Sequence, residues 1–551
     1  MIDLHDDVLK CLFDWLALID VPGPTLRFSE ASDSEYHTLP FTSEPLSFPQ
    51  TRLGWITASH VCRRWRALLL NMPLLWAQIA GGVFPSREIC ETIIERAGDR
   101  PLHFSQWREY RGEHVTAESL ASRAATVTEL VHSYNDRLQV LALRIVDAMT
   151  DADAILWRDF PELESLHLEH GDDLAGLSCA NAFNAPRLRN LRMHDVVFAP
   201  NAPALRSLYV VFTAGTYTLM PILLEALLTT PLLEDLELQE AYNVDGDDEE
   251  SAVLSPQAKL PKLSTLTFTG SSHNFALLWH SITSYPPGLC IEVKFIGRGS
   301  QLDIFGSLGE ALRYEENDTL RLSFFDRKEQ GLFAMHLFPS SKGLYYEDED
   351  GRYRRNGVCI GAMQLLPDND EPIIEPSMLL SALVAQLIPG NIRILDLDTA
   401  VDRTAEWGLC DLDAMCSVLR TLTNISTIAI GRGCNQHVLD RLLHPDIMTV
   451  APSIPLPQLR CLRVKHPRQC VRGRFTNTKN MIESWAALSV LCALLLTYRH
   501  PLSHLRVSAW SLDELDGHED AWGVQKKLIE GVRTLVDELE VTNLDGEDDH
   551  F

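Results

Sequence analysis

Length, composition and charge exclude several classes of protein. The chain has 551 residues, enough for two or more domains, or for a short domain followed by a long repeat array. Hydrophobic residues make up 46% and charged residues 23%, which is typical of a globular chain with a large core and argues against disorder. The formal net charge of −28 disfavours a nucleic-acid-binding surface, since phosphates are bound by clustered Lys and Arg.

Cysteine usage and hydropathy predict an intracellular protein. The 12 cysteines include no Cys-x-x-Cys pair, so we expect reduced thiols and no structural zinc site. No basic segment precedes an apolar run at the N-terminus, and the longest apolar stretch, residues 486–496, is shorter than the roughly 20 residues that span a bilayer. We therefore expect a cytoplasmic or nuclear protein with no membrane partner, no metal and no cofactor.

Two amphipathic segments near the N-terminus predict a pair of helices. Apolar residues recur at three- and four-residue steps in residues 4–16, LHDDVLKCLFDWL, and again in residues 55–76, WITASHVCRRWRALLLNMPLLW. The second helix is predicted to end near Pro73, because proline cannot extend the hydrogen-bond ladder. Residues 20–53 are rich in Pro and Ser and are predicted to form a loop.

The two segments together resemble an F-box. VCRRWRALL followed by PLLW is similar to the second half of that motif, particularly in the F-box-like proteins of mushroom-forming fungi. LHDDVLKCLFDWL is similar to the first half, although the family usually has Leu-Pro where this chain has Leu4-His5. The resemblance implies that the segment binds a Skp-type adaptor, and that other subunits of a cullin-type ubiquitin ligase perform the chemistry.

The resemblance also implies which side chains form the adaptor surface. They are apolar and lie on the facing stripes of the two predicted helices: Leu4, Val8, Leu9, Leu12, Phe13, Leu16, Val61, Trp65, Leu68 and Leu69. Part of each stripe would pack against the other helix, and the remainder would bind the adaptor.

Helix and strand patterns alternate after this segment. Residues 86–97 and 118–134 are predicted helices, whereas residues 101–105 and 138–145 are predicted strands. Gly98 stands where the first of these helices would end.

A repeat of the form Pro-x-Leu-x-x-Leu-x-apolar begins at residue 161. Its copies start at Pro161, Pro186, Pro203, Pro231, Pro261 and Pro457, and looser copies lie near residues 392, 425 and 502. The first five copies lie 17 to 30 residues apart, near the roughly 20 to 29 residues of leucine-rich repeats. Each Leu-x-Leu pair predicts a short strand with Leu inward, and stacking such strands gives a parallel sheet.

The predicted fold class is α/β: an N-terminal helical F-box followed by an irregular leucine-rich-repeat solenoid with a parallel sheet. We place the F-box-like domain at residues 1–80, with the inserted loop at about 20–53, the divergent repeat domain at 81–545 and an acidic tail at 546–551. Apolar runs at residues 220–228 and 377–387 are the predicted outer helices.

Candidates for holding a target protein are outward-facing residues of the predicted strands. Tyr and Arg are enriched at interface hot spots, which favours Arg192, His194, Tyr209, Arg463 and Lys465. Val211 and Thr265 are also predicted to face outward.

Two functions remain open, and neither is enzymatic, since the sequence has no phosphate-binding loop, no His-Glu-x-x-His and no Gly-x-Ser-x-Gly. The first is a substrate-recruiting F-box subunit, bound to a Skp-type adaptor and holding an unknown target protein. The second is a stand-alone repeat scaffold in which the F-box-like segment only caps the core. Full burial of Leu12, Leu16 and Trp65 would favour the cap, because it would leave no docking surface.

Overall fold

A computed structural model describes most of the chain. It covers residues 4–20, 22–24, 51–81, 84, 86–105, 117–145, 158–170, 177–178, 183–212, 220–240, 257–295, 303–327, 330–347, 353–363, 376–398, 412–430, 441–443, 456–465, 470–471, 474–475, 478–497, 501–509 and 519–543. Most of the predicted loop at 20–53, and the whole of the predicted acidic tail at 546–551, lie outside the described residues. The chain divides into two compact units, residues 1–236 with 253–262, and residues 237–252 with 263–551.

The first unit opens with three short helices: α1 (Asp6–Ile19), α2 (Arg63–Leu70) and α3 (Pro73–Ala77). Helix α1 is capped by His5, whose side chain accepts a hydrogen bond from the backbone N–H of Asp7 at 3.4 Å. The residue that departs from the F-box pattern therefore has a local structural role, satisfying one of the N–H groups that a helix start leaves unpaired. Gly23–Pro24 pairs antiparallel with Thr51–Arg52.

The predicted second helix ends before Pro73, as expected, but it is interrupted near its start. A 3-10 helix occupies Gly54–His60, and the chain then becomes extended at Cys62, with φ −157° and ψ 168°, before α2 begins. The Cys62 sulfur accepts from the Trp65 N–H at 3.5 Å, so this residue caps a new helix instead of continuing the old one. Pro73 starts α3, because its fixed φ and missing N–H suit the first helical position.

The next elements of the first unit confirm the predicted alternation. They are the helices α4 (Arg87–Ala97) and α5 (Ala117–Tyr134) and the strands β1 (Leu102–Ser105), β2 (Leu138–Ile145), β3 (Ser165–His170), β4 (Asn190–His194) and β5 (Ser207–Phe212). Gly98 ends α4 with φ 56°, a left-handed conformation that glycine adopts at little cost. Helix α6 (Met220–Leu228) and strand β6 (Asp235–Glu240) follow, and the division between the units falls inside β6.

Strands β1 to β5 pair side by side in chain order, and every pairing is parallel. The Leu residues of successive repeats are in register, with Leu166 opposite Leu191 and Leu191 opposite Leu208. All three side chains are buried, as the Leu-x-Leu spelling predicts for one face of a pleated sheet.

The second unit carries a longer sheet. Its strands are β7 (Thr265–Gly270), β8 (Cys290–Phe295), β9 (Thr319–Arg327), β10 (Gln330–Phe338), β11 (Val358–Met363), β12 (Ile394–Asp398), β13 (Thr427–Ile430), β14 (Cys461–Lys465), β15 (His504–Ala509) and β16 (Glu538–Asn543). They pair in the spatial order β7-β8-β11-β10-β9-β12-β13-β14-β15-β16.

The helices of the second unit lie in the connections between strands, as parallel pairing requires. They are α7 (Ser272–Ser281), α8 (Asp303–Ser307), α9 (Gly309–Leu312), α10 (Pro376–Gln386), α11 (Leu412–Leu419), α12 (Thr478–Thr497) and α13 (Glu519–Arg533). None of the helices in the described part of the chain is long and apolar enough to cross a membrane.

The sheet of the second unit departs from the all-parallel prediction at one strand. β10 runs antiparallel to both of its neighbours, β9 and β11, whereas the other pairings in this sheet are parallel. The cause is the connection: only residues 328–329 separate β9 from β10, and so short a link can join only antiparallel strands. The short strand pair Tyr345–Glu347 and Tyr353–Arg355 then precedes β11.

The predicted outward direction is wrong for two strand residues. Val211 is 6% exposed and Thr265 is also 6% exposed, so neither offers a surface. The burial pattern of β5 changes from alternating to continuous over residues 210–212, which the Leu-x-Leu period alone does not reveal.

Candidate functional site

Helix α1 has two adjacent apolar stripes with different environments. Leu9, Phe13 and Ala17 are buried. The neighbouring stripe, at steps of four, three and four residues, is exposed, and we call it the outer row: Val8, Leu12, Trp15 and Ile19. The exposed fraction along the outer row is 51%, 42%, 67% and 75%. Exposed large apolar side chains in a contiguous row are typical of a protein-binding surface.

The buried stripe of α1 packs against α2. The Phe13 and Trp65 rings meet edge to face, with centroids 5.3 Å apart. Leu69 on α2 is fully buried, and Trp76 on α3 donates its indole N–H to the Leu69 carbonyl at 2.8 Å. The outer row is therefore carried by a packed helical pair and not by an isolated helix.

The ten residues predicted to bind an adaptor separate into three groups. Leu9, Phe13 and Leu69 are buried and can act only by holding the helices together. Leu16, Trp65 and Leu68 are half-buried. The other four, Leu4, Val8, Leu12 and Val61, are exposed and available for contact.

The sequence analysis missed the most exposed part of this surface. Trp15, Leu18 and Ile19 are 67% to 75% exposed, more than any of the predicted residues. The signal for Trp15 and Ile19 was present, because positions 8, 12, 15 and 19 continue one helical stripe beyond the motif.

Charged side chains border the outer row. Arg64 of α2 reaches back to the first turn of α1, where its Nη2 lies 2.7 Å from Asp6 Oδ1 and also donates to the Leu4 carbonyl. Lys10 pairs with Asp7 at 3.3 Å. The border therefore carries charges of both signs, and Arg64 offsets the negative charge of Asp6 at the start of α1.

A second candidate surface lies on the strands of the first unit. In register across β3, β4 and β5 stand His167, Arg192 and Tyr209. The Arg192 guanidinium lies over the Tyr209 ring, 5.9 Å from its centroid, which is a cation–π contact. Burial, together with the positive charge of Arg192 and then His194, lowers the pKa of His167 to about 4. The imidazole is therefore neutral at pH 7.

His194, the third candidate on this sheet, is half-buried. Its Nδ1 lies 3.1 Å from Asp195 Oδ2, and Asp195 is buried with a positive φ of 55°. Asp tolerates this conformation better than most residues, and it places the carboxylate beside the strand end. Arg192, His194 and Tyr209 thus lie on neighbouring strands, as predicted.

Arg463 and Lys465 belong to the second unit, on β14, so the five target-binding candidates do not form one cluster within a single unit. Arg463 stands in register between Ala429 and Arg506. Arg506 in turn pairs with Glu540 at 3.5 Å. Lys465 is in register with Ser508.

A buried polar cluster in the second unit was not predicted. His336 Nε2 lies 3.4 Å from the Ser323 hydroxyl and 3.5 Å from the Cys359 sulfur. Arg355 lies 3.0 Å from that sulfur and 3.2 Å from Glu292.

The cluster brings together residue types that occur in nucleophilic catalysis, but their environment opposes that chemistry. Burial raises the pKa of the Cys359 thiol to about 11, and burial with nearby cations lowers the pKa of His336 well below its usual range. Cys359 and His336 are each 2% exposed, so a neutral thiol sits beside a neutral imidazole without access for substrate. We interpret the cluster as polar packing between strands. Within the described residues, no group of three or more His, Cys, Asp or Glu side chains could hold a metal ion.

No protein-family model matches the chain, and no curated protein matches it in sequence.

Proposed function

We propose that the chain is a substrate-recruiting F-box subunit of a cullin-type ubiquitin ligase. Its N-terminal helices would dock a Skp-type adaptor, and the strands that follow would form an irregular leucine-rich-repeat solenoid that holds a target protein. The observation that carries the proposal is the exposed outer row on a packed pair of helices. The outer row lies beside side chains that are buried between α1 and α2, so its position is fixed. An exposed apolar row of this kind suits a partner protein that packs a helix against it.

The repeat array is supported by the register of its strands. In the second unit Leu395, Ile428, Leu462 and Leu505 lie opposite one another across four parallel strands, and all are buried. Each of these residues occupies the second Leu position in a copy, or a looser copy, of the repeat. Such arrays present an extended polar face, which suits a macromolecular target better than a small molecule.

The helical segment also has the features of a cap. Gly81 bridges to the edge strand β1, accepting from the Ser105 N–H at 3.0 Å and donating to the His103 carbonyl at 3.4 Å. These contacts favour the alternative function, a stand-alone scaffold, because an unpaired strand edge needs cover. The cap alone does not explain why Leu12 is 42% exposed and Leu16 and Trp65 are not fully buried.

Adaptor binding by the full-length chain tests the proposal. The chain would be co-expressed with a tagged Skp-type adaptor, and the amount retained on the affinity resin would be measured. Leu12→Asp places a charge in the outer row, so we expect retention to fall by about ten-fold or more. Leu228→Asp is the matched control, because Leu228 on α6 is 46% exposed and lies outside the surface. No retention of soluble wild-type chain, or equal retention of the two variants, would overturn adaptor docking and leave the scaffold.

A further inference from the structure

A cleft of about 300 Å³ opens at one edge of the sheet in the second unit. Its wall includes Tyr285, Glu310, Tyr314, Asn317 and Gly357, the residue directly before β11. We propose that this cleft binds the guanidinium of an arginine side chain on a bound polypeptide. The inference rests on the proposed function in one respect: the bound polypeptide is taken to be the target protein. An arginine of that target would be the group that the cleft recognises.

The cleft lies at the end of the sheet where the antiparallel strand meets its neighbours. β8, β9 and β11 all begin at this end, whereas β10 ends here and continues into Pro339. Gly357, at φ 76°, passes so close to β10 that a Cβ atom there would lie 2.1 Å from the Leu337 carbonyl oxygen.

The aromatic walls of the cleft are held in place by neighbouring side chains. The Tyr285 ring packs on the Trp279 ring with centroids 4.9 Å apart, and the Trp279 indole donates to the Ser307 carbonyl at 2.8 Å. The Tyr314 ring, which also lines the cleft, lies against Gly288, whose missing Cβ would sit 3.4 Å from that ring. Two tyrosine rings on a preformed site suit a flat cation, which is attracted to aromatic faces.

The charges in the cleft favour a cation. The Tyr285 hydroxyl donates to Glu310 at 3.5 Å, and this carboxylate is exposed at the cleft. Burial and then Glu310 raise the pKa of Tyr285 to about 12, so the phenol stays protonated. Lys342, the lysine at the cleft, pairs with Glu316 at 3.3 Å, which offsets its charge. Glu310 therefore leaves the site with a net preference for a positive ligand.

A guanidinium offers hydrogen-bond donors as well as a charge. It carries five N–H donors, more than any other side chain, and it can donate to the Glu310 carboxylate while its planar face lies against an aromatic ring.

Peptide binding to the full-length chain tests the inference. The probes are acetyl-Gly-Gly-Arg-Gly-Gly-amide and the same peptide with citrulline, which keeps the shape and removes the charge. Dissociation constants would come from saturation-transfer difference NMR titrations. We expect the arginine peptide to bind, and the citrulline peptide to bind about five-fold or more weakly.

A pair of matched variants assigns the binding to the cleft. Glu310→Gln removes the carboxylate at the cleft and should weaken binding of the arginine peptide by about five-fold. Glu315→Gln changes an exposed carboxylate of the following turn that does not line the cleft, and should leave binding unchanged. No binding, equal binding of the two peptides, or equal effects of the two variants would overturn the inference. The titration contains no adaptor, so its failure would leave adaptor docking intact, and failed adaptor retention would leave arginine binding intact.

Discussion

Arg64 of α2 holds Asp6 of α1 across 58 positions of sequence, with its Nε at 2.9 Å and its Nη2 at 2.7 Å from the same carboxylate oxygen. Its Nη2 also donates to the Leu4 carbonyl at 2.5 Å. Three hydrogen bonds from one guanidinium therefore fix the start of the helix that carries the outer row. The pair is charge-assisted but exposed, so its contribution is limited by solvent screening.

Replacing Arg64 by Gln should loosen α1 without unfolding it. The loss of an exposed pair costs about 1 kcal/mol or less, which corresponds to local opening up to about five-fold more frequent. Hydrogen exchange of the backbone amides of residues 6–19 would measure it in the full-length chain. Arg63→Gln, a neighbouring exposed arginine, is the control. Equal exchange in the two variants would contradict a special role for Arg64.

Core and surface positions of α1 should respond differently to truncation. Phe13 is fully buried and its ring meets Trp65, so Phe13→Ala should cost about 3–5 kcal/mol in the free energy of unfolding. Leu12 is 42% exposed, and Leu12→Ala should cost less than about 1 kcal/mol.

Calorimetry of the full-length chain would separate these two effects. The unfolding transition that includes α1 should move to lower temperature in Phe13→Ala and stay close to wild type in Leu12→Ala. Similar shifts in the two variants would mean that the outer row is packed within the protein, and would argue against a docking surface.

The bounds of individual helices and strands were predicted from the sequence more accurately than the points at which a helix is interrupted. Strand β2 and helix α6 have the bounds that were predicted, because strong period-2 and period-3.6 patterns were bounded by clear ends. The second predicted helix, which was expected to end near Pro73, is interrupted at Cys62, although cysteine is not a residue that commonly breaks helices. Its sulfur cap is a local interaction that hydrophobic periodicity does not report.

Functional geometry was harder to predict than the strands that carry it. The contact of Arg192 with Tyr209 follows from the repeat register, because both are one position after the second Leu of their repeats. The cleft does not follow, since Tyr285 and Glu310 are 25 positions apart and lie in two different connections, one before β8 and one before β9. Side chains brought together by an irregular connection leave no periodic signal in the sequence.

His167 should titrate far below an ordinary histidine. Its pKa of about 4 means that the folded chain keeps the imidazole neutral, while the unfolded chain binds a proton near pH 6.5. The unfolded state thus binds more protons between those values. The stability contributed by neutral His167 is complete above pH 6.5 and is lost as the pH falls towards about 4.

Arg192→Gln should raise the pKa of His167, since the guanidinium disfavours the imidazolium. The rise should stop short of 6.5, because burial is the larger cause and persists in the variant. NMR titration of carbon-13-labelled histidine would follow it, with His167→Asn used to assign the signal. Arg187→Gln, at the turn before β4, is the control for a general change of charge. An unchanged midpoint in Arg192→Gln would contradict the proximity of the two residues.

Two glycines with positive φ should differ in their response to alanine. Gly98, at φ 56°, has nothing within 4 Å of an added Cβ, so Gly98→Ala carries only backbone strain of about 1 kcal/mol. Gly357, at φ 76°, has the same kind of strain, and its Cβ would also overlap the Leu337 carbonyl oxygen at 2.1 Å. That contact is with backbone, which cannot rotate away.

Gly357→Ala should therefore lower the stability of the second unit by several times the effect of Gly98→Ala, or about 3 kcal/mol or more. Thermal unfolding of the two full-length variants would measure the difference. Because Gly357 lies at the cleft and directly precedes β11, the variant should also weaken binding of the arginine peptide, even at temperatures where the chain stays folded. Equal destabilisation by the two alanines would show that the close approach of β11 to β10 is not what requires glycine at position 357.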